Sequence, residues 1–400
     1  MSGKITISIC VFLSLAYTYW NHFTHSKNVL VYRNGYSKDG VEMFLKYDTL
    51  VSKNGSEIAE YLSQFVDVET IKTNESRVAV ADRVYNGYGQ LIHSFKDIKT
   101  DDRLYLVAPE LLFVWPFVKL GHKVELSYKD SPTGKPIILE SFSESPRVFH
   151  IHNLFTEEEA DRLINRTTEI DDDIDKLQRS IVIDENGDRG YSEYRTSENA
   201  WDWMSETANV IRQRAFKSLS IGKYTEELAS PLQLLRYNQK QAYVSHTDYF
   251  DNEMPDENFD PSTGGSNRFA TIFLYLSNVT RGGQTVFPLA EMPNGISDLY
   301  NHPINAEDDI RIGQSLFDED SWEYEMVEQC STRLAAYPRK AHAILFYSQK
   351  PNGEVDPMSL HGGCPVLDGT KWAANLWVWN KRRYGYYVLD ESSAETKDEL

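Results

Sequence analysis

The chain has 400 residues, two to three times a usual domain, so its length predicts two domains. Its 41 basic against 60 acidic residues leave a formal charge of −19, which repels phosphate backbones and removes nucleic acid from the expected partners. Three cysteines exclude a disulfide-stapled mini-fold and a cysteine-rich zinc module, and 41% hydrophobic with 25% charged residues is a globular composition.

Behind Lys4, residues 5–20 carry no charge. At about 1.5 Å per residue they reach only about 24 Å, short of a ~30 Å hydrocarbon core. Ser14 and Ala16 supply the small residues of a cleavage point. Residues 1–25 therefore read as a secretory signal peptide, with a short uncleaved signal anchor as the alternative. The last residues, Lys397-Asp398-Glu399-Leu400, close a tail (386–400) with KDEL, an address read by the KDEL receptor for retention in the endoplasmic reticulum. The expected location is the lumen of that compartment. The anchor alternative makes the chain a type II protein of its membrane, and only then is a membrane a partner.

An oxidising lumen makes Cys330 and Cys364 a candidate disulfide, two buried thiols being the alternative. Asn54, Asn74, Asn165 and Asn278 head glycosylation sequons, and Asn278, ending an apolar run, is expected to be the least reachable.

Residues 26–140 alternate short apolar runs with turn signals. Strands are expected at 29–32, 103–107 and 123–126, with turns at Asn86-Gly87 and Thr133-Gly134. Ser56 is the expected cap of a short helix presenting Ile58, Leu62 and Phe65 on one face. No catalytic pattern appears, so this region reads as a small β-rich accessory domain.

A second domain is expected over 145–385. Thr156 and Glu159 form a capping box ahead of Ala160, Leu163, Ile164 and Thr167 at helical spacing. The carboxylate run 171–175 reads as a solvated loop. Met204, Ala208, Ile211, Ala215 and Leu219 form the stripe of another helix. Apolar or aromatic runs at 232–237, 269–276, 334–337, 343–347 and 373–379 follow, separated by turns. Helices first and strands after them predict a mainly β, α+β fold: an antiparallel sandwich or jelly roll buttressed by helices.

The chemistry lies on those strands. His246 and Asp248 are two residues apart, and a period of two places both side chains on one face of a strand. An imidazole and a carboxylate there are two-thirds of the triad that holds non-haem Fe(II) with open positions. His-x-Asp alone is a weak signal. His361 is the candidate third ligand, with His342 and His302 as competitors. Ten residues past His361, Lys371 opens an apolar strand, where a lone cation suits the distal carboxylate of a dicarboxylate whose keto-acid end chelates iron.

The spacing of His246-x-Asp248, His361 and Lys371 resembles the Fe(II)- and 2-oxoglutarate-dependent prolyl 4-hydroxylases, and the flanks match in order. These are Leu234-Leu-Arg-Tyr237, Tyr243 to Phe250, Arg268-Phe-Ala-Thr271 with Tyr275-Leu276, Gly282 to Pro288, Asp356 to Pro365, and Gly369 to Trp372. The resemblance covers 146–383, some 60% of the chain. It departs at Gln284, where relatives carry Glu, and at Pro338-Arg-Lys-Ala341-His342, where relatives often carry Pro-x-x-Gly-Asp.

The resemblance implies a double-stranded β-helix catalytic domain that converts peptidyl proline to 4-hydroxyproline, with O2 and 2-oxoglutarate giving succinate and CO2. It implies Fe(II) on His246, Asp248 and His361, and the cosubstrate's distal carboxylate on Lys371, Thr285 and Tyr237. Tyr243, Arg268 and Trp377 would line a groove for a proline-rich or collagen-like polypeptide, the acidic segment 251–265 would be a lid, and ascorbate would be the reductant. The alternatives are a hydroxylase of lysine or of a non-peptide substrate, a partner-dependent subunit, and a non-enzymatic jelly roll. The last has no reason to keep three ligands and Lys371.

Overall fold

The computed structural model describes residues 26–71, 79–126, 131–183, 189–250, 257–293 and 306–386. The expected leader, the KDEL sequence, Asn74, His302 and residues 251–256 of the expected lid lie outside the described residues. No helix among the described residues is long and apolar enough to cross a membrane.

The first strands form a mixed sheet. β1 (Lys27–Arg33) pairs antiparallel with β2 (Val41–Leu45), and α1 (Tyr47–Leu50) and α2 (Gly55–Leu62) follow. β3 (Arg83–Asn86) and β4 (Asp102–Val107) complete the order β2-β1-β4-β3, with β1 and β4 parallel. Val29, Val31, Leu104 and Leu106 share one side of the sheet, and Ile58, Ala59 and Leu62 of α2 close over it. α2 begins at Asn54 rather than at the expected Ser56. The Asn54 side chain accepts from Glu57 N, and Glu57 Oε2 accepts in return from Asn54 N. Asn54 satisfies the free amide two residues earlier, and Phe65, past the helix end, is exposed rather than part of the buried face.

The other side of this sheet is aromatic and faces the second unit. Tyr32 stacks on Tyr105 at 5.5 Å, Tyr85 on Phe113 at 4.7 Å, and Phe113 meets Trp115 edge-on at 5.1 Å. Trp115 donates from Nε1 to Ser218 O (2.8 Å) and from its backbone to Tyr347 Oη (3.2 Å). Asn34, fully buried, donates to Leu112 O and accepts from Val114 N. The first unit is clamped onto the second.

The remaining strands are β5 (Lys123–Leu126), β6 (Ile137–Ser143), β7 (Val148–His152), β8 (Gln178–Arg179), β9 (Ile181–Ile183), β10 (Arg189–Tyr191), β11 (Glu198–Asp202), β12 (Leu232–Tyr237), β13 (Tyr243–His246) and β14 (Arg268–Tyr275). After them come β15 (Arg281–Gly282), β16 (Thr285–Glu291), β17 (Arg333–Ala336), β18 (His342–Tyr347), β19 (His361–Gly363), β20 (Val366–Asp368) and β21 (Lys371–Trp379). A large sheet runs β5-β6-β7-β18-β14-β21-β12-β11-β8, and a smaller one runs β13-β19-β16-β17. Phe273, Tyr275, Phe287, Phe346 and Val366 fill the space between them, as a jelly roll requires.

The accessory domain was expected to reach residue 140, but β5 and β6 already belong to the large sheet. A short strand's alternation does not say which sheet it will join, and Leu126, Ile137 and Leu139 find their burial in the second core. That core lies on the outer face of the large sheet under α3 (Glu157–Glu169) and α4 (Glu206–Leu219). Thr156 and Glu159 make the expected capping box on α3. Met204 precedes α4 and is 81% exposed, because Ser205 caps the helix and leaves Met204 outside the stripe. The 171–175 run is an exposed turn in which Asp172 Oδ1 accepts from Ile174 N. Asn54, Asn165 and Asn278 are all exposed, and Asn278 is freed because it falls just past the end of β14. α5 (Ala306–Leu316) and α6 (Trp322–Thr332) lie between β16 and β17, with α6 packed on the small sheet.

Candidate active site

β13 pairs with β19 so that His246 stands directly opposite His361, a neighbour relation across 115 residues of chain. The two rings use the same device. His246 Nδ1 lies 2.9 Å from Val244 O, and His361 Nδ1 lies 3.0 Å from Ser359 O, each a carbonyl two residues back. A carbonyl only accepts, so each Nδ1 carries a proton, and Nε2 is the atom that each ring can offer a metal. Asp248 faces both Nε2 atoms, with Oδ1 3.9 Å from His246 and Oδ2 3.7 Å from His361. The three ligand atoms lie within 4.8 Å of one another, and no other such group occurs among the described residues.

Electrostatics favour the metal-binding forms. Burial first, then the neighbouring His361, pushes the His246 pKa down to about 3, which keeps the imidazole neutral. Burial alone would raise the Asp248 pKa, but His361, Arg268, His246 and the Thr271 hydrogen bond together hold it below the usual carboxylate range. Two imidazoles and one carboxylate, with nitrogens and oxygen converging and both Nδ1 atoms tied to carbonyls, fit a divalent iron.

His342 is elsewhere. Its Nε2 lies 2.8 Å from His150 Nδ1, and burial drives its pKa down to about 3. It closes a polar group with His150, His152 and Glu140 at the start of β18. The preceding Ala341 adopts a left-handed backbone (φ 62°), where glycine is the easier residue.

Lys371 opens β21 opposite Tyr237 of β12 and is 1% exposed. Its Nζ sits 5.2, 5.0 and 5.7 Å from the ring centres of Tyr237, Phe273 and Tyr275. Burial is the one cause that moves its pKa, down to about 7, and among the described residues no carboxylate pairs with it. A buried cation inside an aromatic box calls for an anion. Gly283 (φ 72°) packs here, since a Cβ on it would stand 3.4 Å from Lys371 Cδ.

Thr285 is buried on β16, its Oγ1 2.8 Å from the Tyr275 hydroxyl, which also donates to Ala336 O. Tyr243 lies flat on His246, ring centroids 3.8 Å apart, under the Arg195 guanidinium. Arg268 Nη1 donates to Asp248 O at 3.1 Å, and its guanidinium lies 3.8 Å from the centre of a Trp377 ring. Arg268 thus braces a ligand as well as facing Trp377. Among the described residues, Arg268 Nε and Trp377 Nε1 are buried donors without a hydrogen-bond partner.

Cys330 and Cys364 form a disulfide between α6 and the segment just after β19. Sequence reasoning missed Thr271, Arg195 and Phe346. The first binds Asp248, the second covers Tyr243, and the third lies 4.5 Å from the His361 ring. Arg195 and Phe346 had no diagnostic spacing, and Thr271 was read only as a motif match.

Residues 232–379 match the model of the 2OG-Fe(II) oxygenase superfamily. A probable prolyl 4-hydroxylase 4 of Arabidopsis thaliana is 33% identical over 266 residues, 65% of this chain and 76% of the relative. Prolyl 4-hydroxylase 2 of the same plant is 34% identical over 246 residues, 61% of this chain and 70% of its own. A solved viral collagen prolyl hydroxylase from Paramecium Bursaria Chlorella virus-1 aligns over 58% of this chain and 95% of that one, with 21% identity and a TM-score of 0.35. The chain belongs to the prolyl 4-hydroxylase family of 2-oxoglutarate- and Fe(II)-dependent oxygenases.

Proposed function

We propose that the chain hydroxylates C4 of proline in a polypeptide, using O2 and 2-oxoglutarate. The observation that carries this is one barrel interior holding both the His246–Asp248–His361 group and a buried lysine with no acidic partner among the described residues. Bound Fe(II) and 2-oxoglutarate supply the oxidation, in which one oxygen atom enters the C–H bond and the other leaves in succinate, with release of CO2.

The chain's own residues do the positioning. His246, Asp248 and His361 would hold the metal. The Lys371 ammonium pairs with the distal carboxylate, and Tyr237, Phe273 and Tyr275 keep water from that pair. Thr285 and the hydroxyl of Tyr275 offer polar contacts on the same wall. Tyr243, Arg268 and Trp377 would border the space for the polypeptide, with Arg195 covering the Tyr243 ring and Arg268 covering the Trp377 ring.

The lumen of the endoplasmic reticulum is the proposed location. Its support is the KDEL sequence and a disulfide that an oxidising compartment sustains. Ascorbate is the proposed reductant.

The test is incubation with Fe(II), 2-oxoglutarate, ascorbate and a panel of proline-rich peptides, followed by mass spectrometry. One added oxygen mapped to proline, with stoichiometric succinate, is the expected result. Oxygen mapped to lysine, or succinate formed without any peptide product, overturns the reading.

A further inference from the structure

Strand β14 carries an irregularity that decides how Asp248 is held. Thr271, Phe273 and Tyr275 point into the barrel, while Ala270, Ile272 and Leu274 point into the outer core. Strict alternation would send Phe269 inward and Arg268 outward. The register against β21 slips between Arg268 and Ala270, so Phe269 joins the outer core and Arg268 turns inward. Two inward donors from one strand thereby reach one residue. Arg268 Nη1 donates to the backbone carbonyl of Asp248, and Thr271 Oγ1 donates to Asp248 Oδ2 at 2.5 Å.

The two carboxylate oxygens are not equivalent. Oδ2 accepts the Thr271 hydroxyl, whereas Arg268 Nη1 stands 3.8 Å from Oδ1, too far for a hydrogen bond. Thr271 is fully buried between β18 and β21, opposite Phe346 and Trp377, so its branched side chain has little freedom to turn away.

We propose that Thr271 is a positioning residue for the metal: it ties down Oδ2 and presents Oδ1 as the single ligating oxygen of Asp248. A carboxylate free to turn, or to chelate through both oxygens, would bind less well with the two imidazoles and would take up a position that cosubstrate needs. The inference rests on the metal reading of the His246–Asp248–His361 group.

The test uses the full chain stripped of metal and titrated with Mn(II), the free ion being followed by electron paramagnetic resonance. Thr271→Val keeps the shape and removes the hydroxyl, and Thr271→Ser restores it. Thr271→Val should raise the Mn(II) dissociation constant about 10–100-fold, the usual cost of losing a partner of a metal ligand. Thr271→Ser should remain within a few-fold of the unaltered chain, on the same scale. Thr271→Ala is the substitute should the Val variant fail to fold, and the same loss is expected. A Val or Ala variant that binds Mn(II) as the unaltered chain does overturns the inference, as does an equal loss in the Ser variant. Failure of the unaltered chain to bind Mn(II) would instead overturn the metal reading itself.

Discussion

The Lys371 ammonium lies 5.2 Å from the centre of the Tyr237 ring, its register partner across β12 and β21, in a site where burial alone brings its pKa down to about 7. The charged form holds the distal carboxylate, and that form is lost as pH rises through the shifted pKa. Binding of 2-oxoglutarate, measured anaerobically with Mn(II) in place of iron, should therefore weaken above about pH 7, approaching a factor of ten per pH unit. Lys371→Ala should bind at least about tenfold more weakly at neutral pH, a charge-assisted hydrogen bond being worth roughly 1.5–3 kcal/mol. It should also lose the pH dependence. A pH-independent constant in the unaltered chain would remove Lys371 from the role.

Each ligand supplies one of three protein bonds to the metal. His246→Ala, Asp248→Ala and His361→Ala should each abolish proline hydroxylation and metal retention. His342→Ala should keep both, since its ring bonds to His150 and not to the group. Metal content by elemental analysis, read beside peptide turnover, separates the four variants. A metal-free His342→Ala protein would reverse the assignment.

The disulfide joins α6 to the segment following His361 and closes a separation of 34 residues. In the chain-entropy account such a loop contributes about 3–4 kcal/mol. Cys330→Ser should lower the melting temperature, and it should also weaken Mn(II) binding, because β19 loses its tie to α6. A variant that melts early yet binds Mn(II) normally would confine the bond to a stabilising role.

Trp115 seals the seam between the two units. Trp115→Ala leaves a large cavity and removes the hydrogen bond to Ser218, so it should cost about 3–5 kcal/mol in chemical denaturation. Both units should lose stability together, because Phe113 and Trp115 share a core with Tyr85, Phe149 and Phe216. A normal first transition with a shifted second would show that the units unfold independently.

Most of the signals that proved legible have a local cause. The box at Thr156 and the apolar runs that became β12, β14, β18 and β21 depend on neighbours within a turn or two of chain, whereas Asp248 lies past the end of β13 and not on the strand that its spacing from His246 predicts. The same reasoning misplaced the cap of α2 and the start of the α4 stripe. Asn54 and Ser56 are both good caps, and composition does not say which one lies opposite a free amide.

The sequence by itself determined which residue types were on hand: an imidazole and a carboxylate at a spacing of two, three candidate imidazoles for the third place, and one lysine entering an apolar strand. Tertiary structure decided which of them meet. His361 rather than His342 joins the group because β19, and not β18, lies beside β13. Arg268 and Thr271 both reach Asp248 because one register slip in β14 breaks a two-residue period. The first unit stops before β5 because the second core offers Leu126 and Leu139 their burial. Strand neighbours, bulges and seams are set by contacts between segments far apart in the chain, and a pattern confined to a few residues carries no record of them.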